Sequence, residues 1–271
     1  MGKGGRRVDL APLYVLHHRP WRDTSRMLDV FTRDHGRLTL FARGVRGPKS
    51  RSASLLQPFR LLLASWSGSG DAGQLTQVEA AGVRDAASVR DSASSPDPTP
   101  GRDAGDPLKP LPAAALLSAW YLNELVLKLT TRHDPQPLVF DLYHESLDRL
   151  RAGEEIAAVL RRFERQLLDL LGYGVEFRNE AREGQALKDD AYYHFHPELG
   201  FTEVSGGAQQ GTVFRGRDLL GIAEDRYDDA AVLETARSVL RVALDHALEG
   251  RDLRTRAVAR AVIGRRRNKE S

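Results

Sequence analysis

The chain contains no cysteine. That excludes disulfides and thiolate zinc sites, and nothing in the composition calls for an oxidising compartment. No apolar run approaches the roughly 20 residues that a spanning helix needs. The opening MGKGGRRVDL has no apolar stretch behind its basic residues, so a secretory leader is not expected either. Catalytic signatures are also missing: G-x-x-x-x-G-K-S/T, H-E-x-x-H and G-x-S-x-G do not occur. These absences point to a cytoplasmic, non-membrane binding protein rather than an enzyme.

What is present is charge, unevenly spread. The net charge is only +3, yet residues 1–60 hold thirteen Lys/Arg against four Asp/Glu, and residues 251–271 hold eight against two. The middle of the chain is therefore acidic. A basic head and tail flanking an acidic body suit an anionic polymer, because clustered like charge is what makes a steering field.

At 271 residues the chain is long enough for two domains. Residues 1–83 read as a small β domain of five strands. LAPLYVLHH is the first; SRMLDVFT and RLTLFAR are the next two, joined by a turn at Asp34, His35 and Gly36; FRLLLASW and QLTQVEA follow. Leu28 and Val30, then Leu38, Leu40 and Ala42, alternate with polar neighbours in the period of a sheet with one buried face. Five short strands with glycine-rich turns predict a closed OB-type barrel, with an SH3-like barrel as the other arrangement that fits. Residues 84–112 are rich in Pro, Ser, Asp and Gly without apolar period, and read as a flexible linker or insertion that marks the domain boundary.

Residues 113–271 read as an α-helical domain. Residues 113–130 form a nearly all-round apolar segment, predicting a central buried helix. Phe140, Tyr143, Leu147 and Leu150 continue at helical spacing, as do Ile156, Val159, Phe163, Leu167 and Leu170 before the stop at Gly172 and Gly174. A further helix starts at Asp229 as N-cap, and a last one spans about 253–263 ahead of a basic tail at 265–269. Between them, near 173–213, AYYHFH and GFTEV suggest a short strand pair in an irregular region.

The most informative stretch is FARGVRGPKSR, where Arg43, Arg46, Lys49 and Arg51 surround Gly44 and Gly47 between two apolar runs, with no acid. Glycines allow close approach of backbone to ligand, and the cations can reach successive phosphates. Arg22, Arg26, Arg33 and Arg37 extend that field over one side of the barrel. Taken together the cluster reads as a nucleic-acid site rather than a merely solvated face. Trp21 and Phe41 lie among the cations. Such aromatics can stack bases, although Phe41, inside an apolar run, is the better candidate for core packing. Elsewhere His194 and His196 would share one strand face and could reach one metal with Asp189 or Asp190. H-x-H pairs are common by chance and Pro197 follows at once, so they are read as surface histidines and no metal or other cofactor is expected.

Residues 14–51 resemble the N-terminal domain of the RecO family of bacterial recombination mediators. Asp23-Thr24-Ser25, Phe31-Thr32, His35-Gly36, Ala42-Arg43-Gly44 and Lys49-Ser50 stand where that family's pattern puts them, and LQPF, YLNEL, LGYG and Gly200-Phe201 follow in order. The resemblance implies an OB domain followed by a helical domain, with no enzymatic turnover. It implies a DNA repair and homologous recombination protein that binds single- and double-stranded DNA and anneals complementary strands. It further implies docking of the acidic tail of the single-stranded DNA-binding protein, and action with RecR in loading the RecA recombinase, in the bacterial cytoplasm at the nucleoid. The DNA contacts would fall to Arg22, Arg26, Arg37, Arg43, Arg46, Lys49 and Arg51. An acidic peptide tail needs a groove with cations at its rim, for which Arg132, Arg237, Arg241, Arg254 and Arg256 are the candidates. Some members carry a four-cysteine zinc site in the region matching residues 179–193, which this chain cannot build. The other readings to be tested are an OB-type RNA- or ribosome-associated protein and a metal-dependent hydrolase built on His194 and His196.

Overall fold

A computed structural model of the chain describes residues 6–46, 50, 52–68, 72–82, 109–204 and 212–270. It divides into two compact units, Met1–Gly153 with Leu253–Ser271, and Glu154–Asp252.

The first unit is built on a barrel of five strands: β1 (Arg6–Trp21), β2 (Ser25–Thr32), β3 (Gly36–Ala42), β4 (Leu61–Gly68) and β5 (Ala72–Ala80). They close in the order β1-β2-β3-β5-β4, every pair antiparallel except β3 with β5. That order and closure make the barrel OB-type and leave no exposed sheet edge. Alternation explains its filling: Leu28, Val30, Leu38 and Leu40 point inward and meet Leu13, Val15, Leu62, Ala64 and Trp66. β1 is longer than the expected LAPLYVLHH because it serves two neighbours, β4 along its first half and β2 along its second, with irregularities at Val8/Ala11 and Val15/His17. Those bulges break the simple alternation, and Tyr14, Val15 and Leu16 are all buried. A four-residue helix, α1 (Ser52–Leu55), which the sequence reading had not anticipated, precedes β4 and delivers Leu56 to the core.

Two helices of the same unit cover part of the barrel's outer surface: α2 (Leu116–Leu129), entered through a 3-10 turn at Ala113–Ala115, and α3 (Pro137–Ala152). Tyr14 and Phe31, on the outer face, pack against Phe140 at 5.6 and 5.5 Å between ring centroids. Several polar groups in this seam are hydrogen-bonded. The Tyr14 hydroxyl meets His144 Nδ1 at 2.6 Å, Asn123 donates to the Leu16 carbonyl at 2.9 Å, and Arg151 bonds Asp148 at 2.7 Å and the Phe59 carbonyl. Gly36 is required at its turn, because its φ is +65° and an added Cβ would sit 2.2 Å from the backbone oxygen of Asp134.

One expectation changes here. The segment 113–130 is not buried all round: Ala119, Leu122, Leu125 and Val126 face inward, while Leu116 and Trp120 are about two-fifths exposed. Of the expected linker at 84–112, residues 84–108 lie outside the described residues. The barrel and the first two long helices are one compact unit, because Tyr14, Phe31 and Leu16 bond and pack onto them. The C-terminal helix α7 (Arg254–Glu270) also belongs to that unit; Glu124 on α2 caps it by accepting from the backbone N–H groups of Arg254 and Thr255 at 2.8 and 2.9 Å.

The second unit holds α4 (Ile156–Leu170), a three-stranded sheet of β6 (Tyr192–His196), β7 (Gly200–Glu203) and β8 (Val213–Arg215), then α5 (Gly216–Ala223) and α6 (Ala230–Ala247). β8 and α5 join the two expected strands, in the order β7-β6-β8. Asp229 caps α6 through a 2.8 Å bond from Ala231 N–H, as its sequence position predicts.

Candidate nucleic-acid interface

The outer face of β1, β2 and β3 has two halves. Cross-strand register puts Tyr14, Phe31 and Arg37 in one row near the β2–β3 turn, and Arg19, Met27, Phe41 and Gln74 in another at the opposite end. The first row lies under α3 and the loop before it, as its ring contacts and hydrogen bonds show. The second row, with Trp21 two residues beyond Arg19, stays accessible: Trp21 is 41% exposed and Arg19 is exposed.

Two loops border the open half. After β3, residues 43–46 turn through Gly44 at φ +68° and bury Val45 in the barrel core, which leaves Arg43 and Arg46 outside. Arg46 then fastens this loop to the β1–β2 turn: its backbone N–H donates to the Thr24 carbonyl at 2.9 Å, and its Nη1 to the Arg22 carbonyl at 3.1 Å. Arg22 itself has φ +51°, a left-handed conformation that costs a non-glycine residue roughly 1–2 kcal/mol. Three exposed guanidinium groups, Arg22, Arg43 and Arg46, thus stand on one rim of two joined loops. Arg26 sits on the inward row with Ala42, beside His18, whose pKa is lowered by burial and by the Arg26 charge. Its Nη1 is buried without a hydrogen-bond partner among the described residues. Lys49 and Arg51 lie outside the described residues.

Not every cation of the sequence cluster belongs to this rim. Arg33 makes a paired bond to the Asp141 carboxylate on α3, at 2.9 and 3.0 Å. Arg37 donates to the Thr130 hydroxyl at 2.8 Å and to the Thr130 carbonyl at 2.5 Å; burial and the adjacent Arg132 charge lower its pKa. Both are turned into the helix contact and away from the open face. The missed signal was the spacing itself. Arg33 and Arg37 flank the β2–β3 turn, where the outer row is covered, whereas Arg22, Arg43 and Arg46 flank the opposite end of the same strands.

The candidates for a peptide groove fall in both units. Arg132 is spent on the barrel, bonding Asp29 at 3.0 Å and Thr39 at 3.1 Å. Arg254 and Arg256 lie on α7 of the first unit. In the second unit, Arg237 faces Glu234 at 3.4 Å and Arg241 faces Asp245 at 3.9 Å, both exposed pairs on α6. His194 and His196 lie on β6, where His194 Nδ1 is 3.3 Å from the Thr212 carbonyl, and Asp190 is paired with Arg215 at 2.7 Å. Among the described residues no three His, Asp or Glu side chains gather as metal ligands would.

Two family models divide the chain: Recombination protein O N terminal matches residues 11–84 and Recombination protein O C terminal matches residues 113–257. The chain belongs to the RecO family. Relatives called DNA repair protein RecO are alike over almost the whole length. That of Methylococcus capsulatus is 36% identical over 255 residues, 94% of either chain. That of an Azoarcus species is 36% identical over 260 residues, 95% of this chain and 97% of the relative. That of Ralstonia nicotianae is 36% identical over 253 residues, 93% of this chain and 84% of the relative. The RecO N-terminal match covers the barrel and its cationic rim together. No helix among the described residues is long and apolar enough to cross a membrane.

Proposed function

We propose that this RecO-family protein is a non-enzymatic recombination mediator that holds single- and double-stranded DNA by its phosphate backbone, through Arg22, Arg43 and Arg46, with Lys49 and Arg51 next along the sequence. The observation that carries this reading is the rim itself: Arg46 ties two loops together so that three exposed guanidinium groups stand beside the exposed Arg19 and Trp21. Clustered cations with no carboxylate partner among the described residues have a large gain from a polyanion, because each phosphate they neutralise releases condensed counterions. Arg22 supports this too, since a bulky residue kept in a left-handed conformation is a recurrent mark of a functional turn. Strand annealing follows from the same physics: it breaks no bond and requires only that two repelling backbones be neutralised close together. From family membership the proposal extends to docking the acidic tail of the single-stranded DNA-binding protein, to cooperation with RecR and to loading of RecA. The metal-dependent hydrolase reading has no ligand set among the described residues to support it.

The test is fluorescence anisotropy of a labelled oligonucleotide over a salt series. Log affinity should fall linearly with log salt, and Arg43→Ala with Arg46→Ala should shallow the slope on a single strand by up to about 1.4, at roughly 0.7 per phosphate contact. An unchanged slope would remove the rim from the DNA site.

A further inference from the structure

Resting on the DNA-binding reading above, we infer that the open half of the barrel face selects single strands over duplex, by stacking an unpaired base on Trp21. Phe41 is not a core residue. It stands on the outer row beside Met27, its ring centroid 5.4 Å from that of Trp21 and tilted by 45°, and its carbonyl is held by Gln74 at 2.8 Å. Trp21 is thereby supported from one side and exposed on the other. Arg19 lies along the same row, its guanidinium against Met27 Sδ at 2.9 and 3.1 Å, which keeps a cation in the plane of the apolar surface.

The neighbouring charge says what this surface meets. Arg19, Arg22, Arg43 and Arg46 are exposed around it, while Asp29, on the same face, is bonded to Arg132. An apolar protein segment would gain nothing from that fence of positive charge. A strand that presents phosphates to the rim and a flat π-face to the indole uses both. Duplex DNA offers the same phosphates but keeps its base faces stacked inside, so it can use the rim alone. The rim then gives affinity for either form, and Trp21 gives the difference between them.

The experiment uses the full chain with three labelled probes at one salt concentration: a single strand, its blunt duplex, and a strand of abasic sites. Trp21→Ala should weaken single-strand binding by about tenfold or more, leaving duplex binding and the salt slope unchanged. Wild-type protein should bind the abasic strand about as weakly as Trp21→Ala binds the normal one, and Trp21→Phe should recover most of the loss. Equal losses on single strand and duplex, or no preference of wild type for the normal over the abasic strand, would overturn the inference. Failure of the phosphate reading would look different: Arg43→Ala with Arg46→Ala would leave both salt slopes as they were, whatever Trp21 does.

Discussion

Arg33 and Arg43 are both arginines of the same basic segment, and the structure assigns them opposite work, so substituting each should produce opposite results. The Asp141 carboxylate is only 5% exposed and Arg33 only 20%, and the two meet through a pair of bonds at 2.9 and 3.0 Å. Removing Arg33 leaves a carboxylate buried between barrel and helix with its charge uncompensated. Breaking a fully buried pair costs about 3–5 kcal/mol; the partial exposure of Arg33 puts this pair at the lower end, about 3 kcal/mol. For a unit of this size that lowers the melting temperature by about 6–12 °C. Replacing both members, Arg33→Met with Asp141→Leu, should return most of the loss, since an apolar pair of similar volume leaves no stranded charge. Arg43 is exposed and no hydrogen bond from its side chain is seen among the described residues, so Arg43→Ala should change the melting temperature by no more than about 1–2 °C. On DNA the ranking inverts: Arg43→Ala shallows the salt slope by about 0.7 and Arg33→Ala leaves it unchanged. Thermal unfolding followed by circular dichroism, beside an anisotropy salt series on the same preparations, reads both quantities. If Arg33→Ala melted like wild type yet lost a phosphate contact, the division of the cations into buried and open sets would be refuted.

Gly36→Ala should be among the most damaging single changes in the barrel, because it adds roughly 1–2 kcal/mol of left-handed strain to a 2.2 Å collision with the Asp134 backbone; urea unfolding measures it, and a loss under 1 kcal/mol would contradict the contact. Glu124 is open to a pH test. Burial would raise its pKa, but the bonds from Thr255 and Arg254 and the charge of Lys128 bring it below the ordinary glutamate value. Its folded value being depressed, the stabilisation is complete above the ordinary glutamate value and is lost as pH falls below it and through the folded one. Glu124→Gln should therefore cost about 1 kcal/mol at neutral pH, raise amide exchange at the start of α7, and cost progressively less in acid. Arg37→Ala should lower stability through the lost Thr130 bonds while leaving the DNA salt slope intact, and a shallower slope would return Arg37 to the interface.

The barrel was legible because its core obeys a period of two: Leu28 and Val30 on β2 face Leu40 and Leu38 on β3 in the observed register. Helix α6 was legible because Asp229 is a cap by chemistry as well as by position. What the sequence hid is what depends on contacts far along the chain. A run of arginines has no local mark distinguishing Arg33, 108 residues from its partner Asp141, from Arg46, whose partner is the turn at Arg22. Phe41 looked like core because apolar residues flank it, yet its register with Met27 puts it outside. β8 and α5 were missed because three strand residues and two helical turns carry too little periodicity to stand out.

The two halves of the outer barrel face explain each other. An OB barrel closes on itself and leaves a sheet surface that must be either covered or used. Here the rows nearest the β2–β3 turn are covered, and every cation there has an assigned acceptor: Arg33 on Asp141, Arg37 on Thr130, Arg132 on Asp29. At the far end the same strands carry Arg19, Trp21 and Phe41 beside a rim where the Arg46 guanidinium is held by the Arg22 carbonyl and no carboxylate partner of Arg22, Arg43 or Arg46 is seen among the described residues. A carbonyl orients an arginine without neutralising it. Charge is thus cancelled where the fold needs burial and preserved where a polyanion can arrive, and the boundary between the two lies between the Asp29–Thr39 row and the Met27–Phe41 row, one repeat of the strand apart.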